Sequence, residues 1–300
     1  MSLDPDLATA LVEPSELPPE EPGRLAVFWR RFRRNRAAVF GLVLFVLVVA
    51  AALLADVITP GDPLRRVAQP LTDPFTNPVA PLGTDQLGRD ILAGLMHGAR
   101  VSLMIGVVAT LISVGIGIVI GAVAGYWGGW VDDVLMRFTD AFQTVPSFIL
   151  LLALVAIMGA SLESIIFGIG IVSWTSPARM VRAEFMSLRH REFVEAARSL
   201  GQRPVATIFR EILPNALPPV IVFASVIMAT SILLESALAF LALGDPNHAS
   251  WGNMIGQGRS VLRSDWYVAV LPGIAILLTV LSFSLMGEGL NEALNPRQKK

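Results

Sequence analysis

The stretch VSLMIGVVATLISVGIGIVIGAVAG, residues 101–125, holds no Asp, Glu, Lys or Arg, and the chain stays uncharged as far as Val131. About 20 mostly apolar helical residues cross the hydrocarbon core of a bilayer, so this run alone predicts a transmembrane helix. Five more runs free of those four residue types lie at 37–55, 141–162, 164–178, 212–234 and 268–287. The run 164–178 has only 15 residues, and reaches span length if Arg179 snorkels its guanidinium to the interface. In lipid every backbone polar group must be satisfied within the segment, which makes these runs helices. The ten-residue alternating segments of a membrane barrel are lacking. A soluble protein with buried helices is the competing reading, and six such runs in 300 residues speak against it. The expected fold class is therefore an all-α membrane protein with six transmembrane helices.

Composition excludes several functions. Apolar residues make up 54% and charged residues 16%, against roughly 25% charged in soluble domains. The net charge of −1 gives no global field for nucleic acid, so no nucleic-acid partner is expected. With no cysteine there is no disulfide, thiolate metal site or cysteine nucleophile. His97, His190 and His248 lie too far apart in sequence for a ligand spacing. The only lysines are Lys299 and Lys300, so a phosphate-cradling G-x-x-x-x-G-K-[ST] loop is impossible and the chain is not itself a P-loop ATPase.

Seventeen of the 23 Lys and Arg residues precede the first run, separate runs two and three or four and five, or follow the sixth. Only Arg65, Arg66, Arg89, Arg100, Arg259 and Arg263 fall on the opposite side. This asymmetry predicts that both termini face the cytoplasm of a bacterial or archaeal cell membrane. About 36 residues precede the first run, too many for a cleavable signal peptide. Residues 1–23 are acidic and carry five prolines, which predicts a disordered tail. The expected organisation is a disordered, basic tail over 1–36, a first transmembrane helix over 37–58 and an extracytoplasmic loop over 59–99. A five-helix core over 100–290 would contain the loop 179–214, and a cytoplasmic tail would occupy 291–300. In the outer loop, residues 82–90 open an amphipathic segment whose helix Thr84 or Asp85 would cap.

The cytoplasmic segment 179–211 is the most unusual part of the chain, being long for a bundle connection. Phe185, Leu188, Phe193, Ala196, Ala197 and Leu200 recur at helical spacings. Gly201 is placed as a C-cap, and a second short helix over about 204–211 would start on Pro204. An arginine-rich helix–Gly–helix hairpin suits a groove on a partner. A solvated basic loop against anionic lipid fits the same residues equally well.

At this loop the chain resembles a known family. Glu195-Ala196-Ala197, then Gly201, then Leu213-Pro214 is similar to the EAA loop of ABC-importer permeases, except that Glu211 stands where the family pattern has Ile. Residues 82–90, 125–129, Val145-Pro146-Ser147 and 235–244 resemble the second permease subunit of dipeptide, oligopeptide and nickel importers. The similarity covers about residues 25–296. It implies a type I importer permease fold with a cytoplasmic coupling-helix hairpin. It further implies a heterodimer with a second homologous permease, two cytoplasmic ATPase subunits or domains, and an extracytoplasmic substrate-binding protein. ATP and Mg would be bound by the ATPase partners, with no cofactor in this chain. Glu195 and nearby arginines would hold the hairpin or pair with the ATPase. Ala196 and Ala197 would permit close helix contact, and Gly201 would supply the turn. Gln202, Arg203 and Pro204 open the coupling helix, and Leu213 and Pro214 open the next span.

Other residues carry open alternatives. Gly117, Gly121 and Gly125 stand four apart, the spacing of close helix packing, with pore lining as the rival. Pro146 is a kink or a gate element. Glu235 is either a functional carboxylate at membrane depth or, the preferred reading, a cap for a short helix over 236–243 at the pore mouth. Asp140 is expected in an interfacial pair beside Arg137. Trp127, Trp130, Trp251, Trp266 and Tyr267 are placed as an aromatic belt. The cargo expected from the resemblance is a dipeptide or oligopeptide, with nickel chelates, glutathione or heme as alternatives. A self-contained secondary transporter is the rival from another class, disfavoured by sparse intramembrane charge. A membrane enzyme lacks any catalytic constellation.

Overall fold

The computed structural model describes residues 24–294, and every regular element among them is helical. The expected tail at 1–23 and the final residues 295–300 lie outside the described residues.

The expected disordered stretch 1–36 is corrected in its second part. Residues Arg24–Arg34 form a helix, α1. Its Phe28 and Phe32 pack against Leu290 and Ala293 near the end of the chain, an apolar anchorage interleaved with arginines. Asn35 breaks the helix and caps the next one, α2 (Arg36–Leu53), by accepting from the Ala38 amide at 3.0 Å. A single turn, α3 (Ala55–Ile58), follows.

The helix that carries residues 101–125 is α4 (Ile91–Trp127), 37 residues long. Thr84 and Asp85 do not cap it. Gly88, at φ +77, holds a turn that keeps residues 84–89 out of a helix. Asp85 instead accepts from the Leu87 and Arg89 amides within that turn. Asp90 is the cap, its carboxylate accepting from the Leu92 and Ala93 amides. Burial raises the Asp90 pKa above its usual value, while those two amide bonds pull the other way. Gly117, Gly121 and Gly125 form the seam between α4 and α8 (Thr175–Leu188), which settles them as packing residues. A Cβ at Gly121 would stand 2.4 Å from the Ala178 carbonyl, and one at Gly125 would stand 2.6 Å from Phe185 Cβ.

The expected spans over 141–162 and 164–178 are each broken. The first divides between α5 (Gly129–Gln143) and α6 (Ser147–Met158), bent by 76°. Pro146 takes φ −54 and ψ 125, outside the helical region, and has no N–H to continue the ladder. The second divides between α7 (Leu162–Ser173) and α8, bent by 41°. Pro177 cannot donate to the Ser173 carbonyl, which places the bend at Trp174. Asp140 on α5 pairs with Arg179 on α8 at 2.5 Å, rather than with Arg137. Arg182 makes a bidentate pair with buried Asp132.

The single helix expected before Gly201 is two, α8 and α9 (Glu192–Ser199), separated at 189–191. After Gly201, α10 (Pro204–Ala206) runs through a π-helical turn, Thr207–Ile212, into α11 (Leu213–Phe240). The chain closes with α12 (Trp251–Gly258), one 3-10 turn at Arg259–Val261, and α13 (Tyr267–Leu294). Four helical segments among the described residues are long and apolar enough to cross a membrane, and the two bent pairs bring the number to six. Trp127, Trp130 and Trp266 sit exposed near helix ends as a belt requires, but Trp251 and Tyr267 are buried. Trp251 donates to the Leu95 carbonyl at 2.9 Å, and Tyr267 to the Thr72 carbonyl at 3.1 Å.

Candidate functional site

Two places gather the residues singled out by the sequence, one at each end of α11. At its start lies the hairpin. The C-terminus of α9 closes as a Schellman motif: Gly201 N–H donates to the Arg198 carbonyl at 2.9 Å, and Gln202 N–H to the Ala197 carbonyl at 3.1 Å. Gly201 takes φ +80, a left-handed conformation that side chains other than glycine adopt at a cost. Arg203, extended at φ −65 and ψ 145, caps α10, whose first residue is Pro204.

The hairpin is pinned by residues the spacing argument missed. Val194 is fully buried against Phe185, Ile208, Ile212 and Ala216. The expected stripe of Phe193, Ala196, Ala197 and Leu200 is not the inward face. Phe193, Ala196 and Leu200 are exposed and Ala197 is half-buried, because α9 turns Val194 alone toward the core. Glu195 is exposed and has no ion pair among the described residues. Arg198 lies over the Tyr126 ring, 4.9 Å from its centre. Gln202 reaches Glu211 at 3.5 Å. The result is an ordered element presenting Leu200, Val205 and Phe209, which are 88%, 61% and 62% exposed. Three large apolar side chains are thus held outward beside a packed support.

The π turn replaces the end of the short helix expected over 204–211. Leu213 is half-buried and Pro214 exposed at its exit. Pro214 has no N–H for the Arg210 carbonyl, and Leu213 donates five residues back to Ile208. Asn215 Nδ2 takes up the Glu211 carbonyl at 2.6 Å.

At the other end of α11, Glu235 is 2% exposed and lies inside the helix. It does not cap a separate helix over 236–243, because α11 runs unbroken to Phe240. Its Oε1 accepts from Ser250 Oγ at 2.6 Å, and Ser250 Oγ in turn accepts from the Asn253 amide as the cap of α12. Gly252 lets this happen, since a Cβ there would stand 2.8 Å from both carboxylate oxygens. The carboxylate thus fastens the loop 241–250 and α12 onto α11. No sequence signal near Glu235 points to a partner 15 residues away across a loop. Asp245 makes a second fastening: it accepts from the Leu162 amide at 3.0 Å, the Asn247 amide at 2.9 Å and the His248 ring at 2.9 Å. Burial pushes the Asp245 pKa up, but these bonds outweigh it and hold the carboxyl below its usual range. Pro146, the other gate candidate, is exposed at the α5–α6 break.

Residues 117–300 match the family described as binding-protein-dependent transport system inner membrane component. Residues 23–78 match the N-terminal transmembrane domain of oligopeptide transport permease C. A di/tripeptide transport system permease protein of Pseudomonas aeruginosa is 38% identical, over 93% of this chain and 94% of its own length. A glutathione transport system permease protein of Pectobacterium atrosepticum is 36% identical over 91% of each chain. A dipeptide transport system permease protein of Alkalihalophilus pseudofirmus is 35% identical over 96% of each chain. In fold, the chain is similar to one of the MetNI methionine ABC transporter in an inward-facing conformation, with a TM-score of 0.51 at 19% identity, over 66% of this chain and 96% of that one. With its broken spans, its continuous α11 and its outward-facing hairpin, this chain belongs to the binding-protein-dependent transport system inner membrane components, the membrane-spanning permease subunits of ABC importers.

Proposed function

We propose that the chain is one of two paired permeases that pass small peptides inward, driven by separate ATPase subunits seated against the α9–α10 hairpin. The observation that carries this reading is the face of Leu200, Val205 and Phe209, exposed yet mounted on the packed Val194 cluster. A hydrophobic face with arginines at its rim, Arg203 and Arg210 among them, suits a cleft on a protein better than a headgroup surface. Glu195 and Arg203 are free to pair with that partner. Both termini and the hairpin then face the cytoplasm, as the arginine distribution predicts. The loop 59–90 and α12 face the binding protein on the other side. Nucleotide and Mg belong to the ATPases, since this chain has no lysine before Lys299 to serve a P-loop. Peptide cargo is the choice favoured by relatives named for dipeptides and for di/tripeptides. Glutathione is the second reading, supported by the relative named for it and itself a small peptide.

The test is to co-express the chain with its neighbouring transporter genes and replace Leu200, Val205 or Phe209 by Asp. Each variant should retain its fold but lose the co-purifying ATPase and the ATP hydrolysis stimulated by binding protein. Variants that keep both, or a purified chain that transports without ATP, refute the reading.

A further inference from the structure

The helices α6 and α7 form a hairpin joined through Gly159-Ala160-Ser161, and each is 12 residues long. At about 1.5 Å per residue each rises roughly 18 Å, well short of a hydrocarbon core about 30 Å thick. With the turn of this hairpin at one interface, both helices break at a similar depth inside the membrane, at 144–146 and at Trp174. Backbone that leaves the helix at membrane depth is tolerated only under protein or beside water. Residues 143–147 are exposed, so this chain does not cover the first break.

A cavity of about 490 Å³ occupies the level of the two breaks. That volume falls within the roughly 300–1,000 Å³ of small-molecule sites. Gln143 and Ser147 line it from the first break, Ser173, Thr175 and Ser176 from the second, and Thr230 from α11, with apolar side chains between them. None of its lining residues is ionisable. Gln143 bridges the breaks, its Nε2 donating to Thr175 Oγ1 at 2.7 Å, while its Oε1 has no donor among the described residues. An amide and five hydroxyls offer donors and acceptors of the kind that every peptide bond can meet.

We propose that this cavity is the subunit's share of the cargo passage, and that it receives peptides through neutral hydrogen bonds to their backbone, with no fixed charge to select among side chains. The proposal rests on the peptide-importer reading above. It names Gln143 as the residue through which the passage stays indifferent to cargo charge.

The chain contains no cysteine, so Ser147→Cys, Ser176→Cys or Thr230→Cys each introduces its only thiol. In the assembled complex in membranes, a charged, membrane-impermeant methanethiosulfonate should modify these thiols at least tenfold faster than those of Leu111→Cys or Val119→Cys, two exposed apolar positions on α4. A cargo tripeptide delivered by the binding protein should slow the modification. Uniformly slow rates would make the cavity a dry seam and overturn the proposal, as would fast rates that peptide leaves unchanged in a complex hydrolysing ATP. Gln143→Glu should raise the transport ratio of a cationic over an anionic tripeptide about tenfold, and an unchanged ratio with transport intact overturns the neutral lining. A wild-type complex that moves no peptide overturns the peptide reading instead, while the thiol rates still decide whether the cavity is wet.

Discussion

Replacing Gly201 with Ala isolates one physical term. The backbone there sits at φ +80, and a Cβ would meet no atom within 4 Å. Steric clash with neighbours therefore contributes nothing, and the penalty reduces to holding an L-residue in the left-handed region, roughly 1–2 kcal/mol. That difference raises the ratio of open to closed Schellman turn by a factor of about 5–30. Two hydrogen bonds report the opening directly, those donated by the Gly201 and Gln202 amides to Arg198 and Ala197. Hydrogen exchange of the 200–203 segment in the detergent-solubilised or nanodisc complex should accelerate by the same factor. Peptide transport per ATP hydrolysed should fall with it if the turn orients the apolar face toward the ATPase. Asn, which tolerates the left-handed region better than Ala, should fall between Gly and Ala on both readouts. Wild-type exchange in Gly201→Ala, or Asn worse than Ala, would refute the reasoning.

Three further outcomes follow from contacts already described. Gly121→Ala places a Cβ 2.4 Å from the Ala178 carbonyl and should cost on the order of 1–3 kcal/mol in thermal unfolding of the complex, whereas Gly115→Ala, with nothing within 4 Å, should be neutral or slightly stabilising. Glu235→Gln keeps an acceptor for Ser250 and should assemble and transport normally, while Glu235→Leu leaves Ser250 short of a partner and should lower thermal stability by about 1–3 kcal/mol; equal behaviour of the two variants would remove Glu235 from the fastening of α12. Asp245 titrates below its ordinary value, so its contribution is complete above the unfolded value near 3.9 and is lost as pH falls through the lower folded value. Protease protection of the 241–250 loop should therefore persist at pH 5 and fail only in stronger acid, and Asp245→Asn should lack that acid step.

Charge-free runs are a one-dimensional signal, which is why the existence of the spans is legible in the sequence. The break beside Pro146 is legible too, since that proline reads as a kink, but the one at Trp174 is not, because Pro177 acts on a carbonyl four residues back, where a count of apolar residues records nothing. The helix α1 escapes for the opposite reason. Its apolar face consists of Phe28 and Phe32 set among arginines, and only the packing against α13 makes it visible. At the hairpin, Gly201 and Pro204 are legible because each has a backbone requirement of its own. Its inward face is not, since Val194 alone turns to the core and the longer apolar stripe turns away. Glu235 stands out as a carboxylate in an apolar run, but its partner Ser250 is brought to it by the loop and α12, a tertiary fact with no local trace.

The same helix joins these features, and its hydrogen bonding is uneven along its length. Pro214, Pro218 and Pro219 leave the carbonyls of Arg210, Pro214 and Asn215 without their helical donors, directly after a π turn that has already widened the helix. Compliance is therefore concentrated between the hairpin and residue 219. From Val220 to Phe240 the helix has no proline, and that part carries Thr230 beside the cavity and Glu235 beneath α12. A displacement of the hairpin would bend α11 most easily within the proline segment, leaving the upper part to move as one body. Because Ser250 is bonded to Glu235, and Gly252 admits the carboxylate at contact distance, α12 must travel with it or the bond must break. One proline-free helix segment and one carboxylate thus join Thr230, on the cavity wall, to α12.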